Sequence, residues 1–367
     1  MYAAQILFRY VCNPTVAKYI YASFFLVANF LAWVARDFGY NTLNSMDGLK
    51  ACNGEKDCLS REGVLRVSLG CFTFYLIMFA STVGTSEREG RREKWHCGWW
   101  GPKTAMMFSL VFFPFAFPSK LISIYGKISI GGAGVFLLIS MASFIIWIQK
   151  RCYSEKSKLS NSKFRRVVAG ILHFLCIVGI FILYVWYAPH ASCLLNISII
   201  SGTIILYLIM SGASFLRSLN GGFLSSGIMG IYVIYICWCA LKSEPQETCM
   251  REGGSSKEDV FTIISFFAGL ITMVVVTFTT GIDSKCFMTA LKREDEDDEV
   301  PYGYGFFHFV FATASMYSAM VLVAWDTNHH MQKFTIDIGW TSTIVRIVNE
   351  IVAVIIYGLV LMINKHE

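Results

Sequence analysis

Polar or charged side chains, His173 among them, stand within otherwise apolar stretches of this sequence, and eight of these residues are the best placed to do chemistry. They are Arg66, Lys103, Asn196, Tyr304, His308, Arg346, Asn349 and Glu350. A lone charge near the centre of a bilayer costs about 2.5–3.5 kcal/mol, so such side chains should face protein, water or lipid headgroups. The chemistry they offer is ion pairing and hydrogen bonding in an apolar setting, which suits a polar groove for a headgroup or a solute.

Arg346 and Glu350 are four residues apart, which places them on one face of a helix, one turn from each other. We predict that they form an ion pair in which each partner offsets the desolvation of the other. Two interpretations remain open: the pair fixes helix packing, or it lines a path for a polar lipid or solute. Arg66 and Lys103 lie nearer the ends of their apolar stretches, so for them we favour side chains that extend to the membrane interface.

Enzymatic chemistry is not indicated. The sequence contains no GxxxxGK[ST] phosphate loop, no HExxH, no GxSxG and no CxxC pair. His329 and His330 beside Asp326 lack a third or fourth matched ligand for a metal ion. We therefore predict no catalytic residue, no metal and no cofactor. The formal net charge of +6 is modest, and nothing in the sequence suggests a nucleic-acid partner.

The composition assigns the chain to the polytopic membrane proteins. Of its 367 residues 55% are hydrophobic and 15% are charged, with a mean hydropathy of +0.54. Apolar runs long enough to cross a bilayer recur along the sequence and leave only short loops between them. We predict an all-α fold, one membrane-embedded unit over residues 1–367, with ten transmembrane helices. Their spans are about 18–35, 63–84, 99–117, 121–149, 166–187, 193–213, 222–241, 260–281, 304–325 and 340–363.

The fourth span is unusually long. A helix of about 30 residues would reach about 45 Å, whereas the hydrocarbon layer is about 30 Å thick. We therefore expect this helix to be strongly tilted, with a bundle of helices on each side of it.

Topology follows from the distribution of Lys and Arg, which favours the loops that share a side with the two termini. By the positive-inside rule both termini should be cytosolic. Cys52 and Cys58 share the first non-cytosolic loop, and we predict a disulfide between them. Cys193 borders another such loop and Cys249 lies in a third, where Cys249 is either unpaired or bridged elsewhere.

Several stretches resemble one family in the order in which they occur. They are GVLRVSLGCFTFYLIM at 63–78, GWWGPK at 98–103, FLLI at 136–139, SSGIMGIYVIYICWCALKSEP at 225–245 and YGYGFFHFVFATASMYSAMVLVAW at 302–325. Together they resemble the serine incorporators (SERINC), and the loops look most like those of plant members.

The resemblance implies ten transmembrane helices in two bundles, separated by a long diagonal fourth helix. It also implies association with phosphatidylserine and sphingolipid metabolism and, for some animal members, phospholipid translocation between leaflets, retroviral restriction and homo-oligomers. The matched positions with implied lipid or structural roles are Arg66, Trp99, Trp100, Lys103, Asn196, Tyr304, Phe307 and His308. The chain departs from the family after FLLI, where Ser140 replaces the usual Gln and an apolar run follows.

Three functions are consistent with these features. The first is ATP-independent translocation of phospholipids, phosphatidylserine above all, through a polar groove while the acyl chains stay in the bilayer. The second is a serine carrier that supports the synthesis of phosphatidylserine and sphingolipids, and the third is a lipid-binding scaffold. The expected partners are membrane phospholipids, a sterol or sphingolipid, and further copies of the chain. The expected location is an endomembrane (ER, Golgi or endosome) or the plasma membrane.

Overall fold

The computed structural model describes residues 13–85, 91–153, 162–216, 222–244, 249, 258–282, 301–325 and 338–363. We number its α-helices in chain order. They are α1 Pro14–Asp37, α2 Tyr40–Asn44, α3 Lys56–Thr82, α4 Arg91–Cys97, α5 Trp100–Phe112, α6 Ser119–Tyr153, α7 Ser162–Tyr187, α8 Leu194–Leu216, α9 Gly222–Lys242, α10 Glu258–Ile282, α11 Tyr304–Leu322 and α12 Trp340–Ile363. Two short 3₁₀ helices, Asp47–Cys52 and Phe113–Ala116, lie between them.

Nine of the helices in the described residues are long and apolar enough to cross a membrane. They are α1, α3, α6, α7, α8, α9, α10, α11 and α12, and each overlaps a predicted span. The first begins as its sequence dictates, because the side chain of Asn13 accepts a hydrogen bond from the Thr15 amide and Pro14 occupies the first turn. The chain is therefore an all-α, polytopic membrane protein, as predicted.

The third predicted span, 99–117, differs from the prediction. It contains α5, of 13 residues, followed by the 3₁₀ helix Phe113–Ala116. At 1.5 Å per residue α5 is about 20 Å long, which is shorter than the hydrocarbon layer. Pro114 ends the helix because proline has no N–H to donate to a carbonyl one turn earlier.

Close backbone contact explains how this short helix is held. A Cβ on Gly70 of α3 would lie 2.2 Å from the carbonyl oxygen of Leu110 and 2.5 Å from the Cα of Val111. Only glycine leaves room for α5 to lie this close to α3. The position of α5 is therefore fixed by its packing against α3, since the helix is too short to span the hydrocarbon layer.

The fourth long helix, α6, has 35 residues and a length of about 52 Å. Its length agrees with the prediction, and its tilt in the bilayer stays a prediction. The chain forms two compact units whose boundary falls within this helix, between Ser140 and Met141. Unit 1 comprises residues 1–140 and 259–337, and unit 2 comprises 141–258 and 338–367.

Each unit has its own core. In unit 1, α3 packs against α1, α5 and α11 around aromatic side chains such as Phe25, Phe74 and Phe311. In unit 2, α9 packs against α7, α8 and α12 around residues such as Met229, Val233 and Cys237. The prediction of a single membrane-embedded unit stays a prediction.

Two disulfides close loops of very different length. Cys52 is bonded to Cys58, six residues away, as predicted from the sequence. Cys193 is bonded to Cys249, 56 residues away, so Cys249 has a partner that the sequence did not identify. All four cysteines belong to the loops that the topology prediction places on the non-cytosolic side.

The longer loop should contribute more stability. In the chain-entropy model a crosslink across 56 residues stabilises by about 4 kcal/mol and one across six residues by about 2 kcal/mol. We therefore expect Cys249→Ser to lower the melting temperature more than Cys58→Ser, measured by fluorescence-detected size exclusion after heating in detergent. Equal losses from the two variants would contradict this explanation.

Candidate functional site

Lys103, near the start of α5, is fully buried. Its ammonium group donates to the carbonyl oxygens of Trp95, His96 (3.0 Å) and Gly98 (2.7 Å) and to the hydroxyl of Tyr21 (2.9 Å). The last carbonyls of a helix have no partner within the helix and carry partial negative charge. Lys103 therefore caps the C-terminal end of α4, so it does not extend to the membrane interface as expected.

A chain of hydrogen bonds runs past this cap. Nε2 of His308 lies 3.0 Å from Nδ1 of His96, and Nε2 of His96 lies 2.9 Å from the hydroxyl of Tyr302. The Tyr302 hydroxyl donates to the carbonyl of Pro14 at 3.1 Å. Because that hydroxyl has one proton, it accepts from Nε2–H of His96, and neutral His96 then accepts from Nε2–H of His308 at Nδ1. When both imidazoles are neutral, all the hydrogen bonds of this series are therefore donated in one direction, from His308 toward Pro14.

Tyr304 completes this end of unit 1. Its ring stacks on that of His96 with centroids 4.0 Å apart, and its hydroxyl donates to Oε1 of Glu93 at 3.0 Å. The structure thus brings together three of the predicted site residues: Lys103, Tyr304 and His308. None of their polar atoms is paired with another of the three: Lys103 binds the end of α4, Tyr304 binds Glu93 and His308 binds His96, which is the arrangement of a structural anchor.

The histidine chain predicts a loss of stability in acid. Burial and, to a lesser extent, the nearby charge of Lys103 lower the pKa of His96 from 6.5 to about 3. The folded protein therefore holds His96 neutral, while the unfolded chain binds a proton near pH 6.5. The stabilisation is complete above pH 6.5 and decreases as the pH falls toward 3, by up to about 1.4 kcal/mol per pH unit.

This expectation is checked by the melting temperature of the protein between pH 7.5 and pH 4.5. The titratable groups that face His96 are Tyr21, Lys103, Tyr302, Tyr304 and His308. In His96→Asn the decline between pH 6.5 and pH 4.5 should be shallower than in the unmodified protein. An equally steep decline in the variant would assign the acid sensitivity to other groups.

Arg66 lies in the N-terminal half of α3 and is also fully buried. Its guanidinium donates to the carbonyls of Pro114 (2.6 Å), Phe117 (2.7 Å) and Gly48 (3.0 Å) and to Oε2 of Glu62 (2.9 Å). It therefore joins three separate segments of unit 1, and it does not reach the interface as expected.

A further buried ion pair lies at the end of α1. Nε of Arg36 lies 2.7 Å from Oδ1 of Asp37, and Asp37 also accepts from the indole N–H of Trp33 at 2.7 Å. Arg36 donates to the carbonyl of Leu322 at 3.1 Å. Sequence reasoning missed this pair because two charges at the end of an apolar run resemble ordinary interfacial residues.

In unit 2, Glu350 lies about 15 Å along α12, near the middle of that span, and is 2% exposed. Its polar neighbour is Thr203 of α8, and Oε1 accepts no hydrogen bond from any residue that the structure describes. The predicted ion pair with Arg346 is not formed. The carboxyl has buried Thr203 as its neighbour, while Arg346 lies within electrostatic range of Tyr235.

Glu350 belongs to a series of neighbouring polar side chains that we call the polar ladder. Two of its pairs are hydrogen-bonded, His173 with Tyr207 and Ser214 with Tyr357. The other three are polar neighbours: Arg346 with Tyr235, Asn349 with Tyr232, and Glu350 with Thr203. From Arg346 to Tyr357 the ladder extends about 17 Å along α12, more than half of the hydrocarbon thickness. Apart from exposed Tyr235, its side chains are buried or half-buried.

Asn196 lies at the end of unit 2 where α7 ends and α8 begins. Its side-chain amide donates to the carbonyl of Tyr187 at 2.8 Å, and Glu244 is a polar neighbour. The indole of Trp238 donates to the hydroxyl of Tyr187 at 3.0 Å. Asn196 therefore ties the end of α7 to the start of α8.

The predicted absence of a metal site stays a prediction. Within the described residues no group of three or more His, Cys, Asp or Glu side chains could hold a metal ion. Asp326, His329 and His330 lie outside those residues.

Comparison with known proteins finds similarity along most of the chain. A family model described as "Serine incorporator (Serinc)" matches residues 3–287 and 282–364. The "Probable serine incorporator" of Dictyostelium discoideum is 24% identical over 344 residues, covering 86% of this chain and 82% of that protein. "Serine incorporator 5" of Homo sapiens is 23% identical over 346 residues, covering 78% and 82% respectively. "Serine incorporator 3" of Mus musculus is 22% identical over 394 residues, covering 85% and 83%.

Proposed function

The chain belongs to the serine incorporator family, and from that premise we propose that it moves phospholipids, phosphatidylserine among them, between the leaflets of a bilayer without ATP. The observation that supports this proposal is the polar ladder. It supplies hydrogen-bonding groups at successive depths of unit 2, where a headgroup leaving water would otherwise have none.

In this mechanism the headgroup moves along the ladder while the acyl chains remain in the bilayer. Hydroxyl and amide groups such as those of Thr203, Tyr232 and Asn349 exchange their mutual contacts for contacts with the headgroup. Each exchange conserves hydrogen bonds, so the barrier falls without an energy source. Such a protein equilibrates the two leaflets and does not concentrate lipid in either of them. It performs no bond-making chemistry and needs no metal or cofactor.

The test is reconstitution of the purified protein into liposomes that contain fluorescent phosphatidylserine. Without nucleotide, we expect an outer-leaflet quencher to bleach nearly all the fluorescence in protein-containing liposomes and about half of it in protein-free liposomes. Liposomes with an unrelated polytopic protein control for leaks caused by reconstitution. Bleaching limited to the protein-free level would exclude the proposal.

A serine carrier or scaffold for phosphatidylserine and sphingolipid synthesis is the second candidate. One observation favours it: the ladder side chains have one another as polar neighbours, and two of the pairs are hydrogen-bonded. Radioactive serine incorporation into lipid, measured in cells lacking and overexpressing the protein, separates the two functions. A carrier changes incorporation without leaflet exchange in liposomes, and a translocator does the opposite.

We also propose that both termini are cytosolic and that the protein lies in an endomembrane or the plasma membrane. The pairing of Cys52 with Cys58 and of Cys193 with Cys249 supports this orientation. Disulfides form on the oxidising side of these membranes, and the topology puts both pairs there. Sterol, sphingolipid and further copies of the chain complete the proposed partners.

A further inference from the structure

Glu350 contributes the one carboxyl group in the sequences of α7, α8, α9 and α12. It is almost completely buried at mid-span, and its Oε1 has no hydrogen-bond partner among the residues that the structure describes. A buried acceptor without a donor is costly, and a buried carboxylate without a counter-charge costs more. The carboxyl is thus a site that a hydrogen-bond donor carrying positive charge would stabilise.

The ladder also contains a cation at a suitable distance. Arg346 lies one turn from Glu350, about 6 Å along the helix axis. Guanidinium groups match the geometry of phosphate oxygens, and a carboxylate accepts from an ammonium group. A headgroup in which two carbons separate a phosphate from an ammonium group carries both complementary charges, the phosphate for Arg346 and the ammonium group for Glu350.

We propose that Glu350 binds the primary ammonium group of aminophospholipids, so that the ladder favours serine and ethanolamine headgroups over choline headgroups. This inference rests on the proposed translocation function and specifies its substrate class. A primary ammonium group has N–H donors for Oε1, whereas the quaternary nitrogen of choline has none. Choline lipids would leave the carboxyl without a hydrogen bond while it faces a bulky cation.

The proposal is tested by leaflet exchange of fluorescent phosphatidylethanolamine and phosphatidylcholine with the same labelled acyl chain. We expect the unmodified protein to exchange phosphatidylethanolamine about tenfold faster, the ratio that one charge-assisted hydrogen bond provides. In Glu350→Gln, which keeps the shape of the side chain, the ratio should fall to about one. Glu350→Asp should retain part of it. Ser23→Ala, an exposed position on α1 in unit 1, is the matched control.

A ratio near one in the unmodified protein, or an unchanged ratio in a folded Glu350→Gln variant, would overturn the proposal. If Glu350→Gln exchanges neither lipid while the unmodified protein exchanges both, the exchange ratio of Glu350→Asp is measured instead. A reduced ratio supports the proposal, and an unchanged ratio overturns it.

Binding gives a measurement that does not depend on transport. Short-chain phosphatidylethanolamine should raise the melting temperature of the detergent-solubilised protein more than short-chain phosphatidylcholine does. If neither lipid is exchanged but this difference is present and is lost in Glu350→Gln, translocation is wrong and the ammonium site stands. If both lipids are exchanged and their thermal shifts are equal, translocation stands and the ammonium site is wrong.

Discussion

Replacing Lys103 by Met should unfold the protein at a markedly lower temperature, with a loss of about 3–5 kcal/mol in the free energy of unfolding. The methionine side chain fills a similar volume but donates no hydrogen bond. The carbonyls of Trp95 and Gly98 and the hydroxyl oxygen of Tyr21 lose this donor, whereas the carbonyl of His96 still accepts from the Tyr21 hydroxyl. Each buried acceptor left without a donor costs about 1–3 kcal/mol.

The measurement is the fraction of monodisperse protein remaining after heating in detergent. Lys94→Met is the matched control, because Lys94 lies on the same short helix and is exposed. That substitution should change the melting temperature little. If Lys103→Met had the same melting temperature as the control variant, Lys103 would not be the cap that holds α4 in place.

Arg66→Lys should be nearly as destabilising as Arg66→Met, with each variant losing several kcal/mol. The guanidinium reaches five acceptors, which lie on α3, on the 3₁₀ helix before α3, between α5 and α6, and at Ser119 at the start of α6. A lysine has a compact ammonium group with three donors, which cannot span the same positions. Gly48 adds a second constraint, since a Cβ there would lie 2.5 Å from the carbonyl oxygen of Phe115.

A double-mutant cycle isolates the ionic part of this effect. Arg66→Met leaves the Glu62 carboxyl buried without its cation, so adding Glu62→Gln should recover part of the lost stability. Lys56→Met, at an exposed position on the same helix, serves as the control. Strictly additive losses would show that the Arg66–Glu62 ion pair contributes nothing beyond its separate hydrogen bonds.

Hydrophobic pattern was sufficient to predict the class of fold and nine of the long helices, because each of these helices must carry enough apolar residues to cross the bilayer. It failed at α5 because the run 99–117 has the composition of a span. Its helix is cut short by Pro114 and held by the small size of Gly70. Both are local effects that a hydropathy window averages away.

The candidate site was predicted in part. The sequence alone shows that burying the Glu350 carboxyl in an apolar span costs free energy, but it does not show which neighbour that carboxyl faces. Four-residue spacing made Arg346 the natural partner on an isolated helix, whereas packing against α8 gives Glu350 a different neighbour, Thr203. We expected Lys103 and Arg66 at the interface because both lie near the ends of their apolar stretches. Position along a span does not reveal which backbone carbonyls other segments bring close to a side chain. The Cys193–Cys249 disulfide joins positions 56 residues apart, and spacing carries no information on such pairings.

That disulfide also makes a covalent ring of the polypeptide between Cys193 and Cys249, with α8 and α9 both inside it. A single cut by a protease anywhere within the ring would separate no fragment. The pieces would run together on a denaturing gel until a thiol reagent is added. A nicked molecule would thus keep Thr203 and Tyr232, which lie on different helices of the ring, tethered to each other.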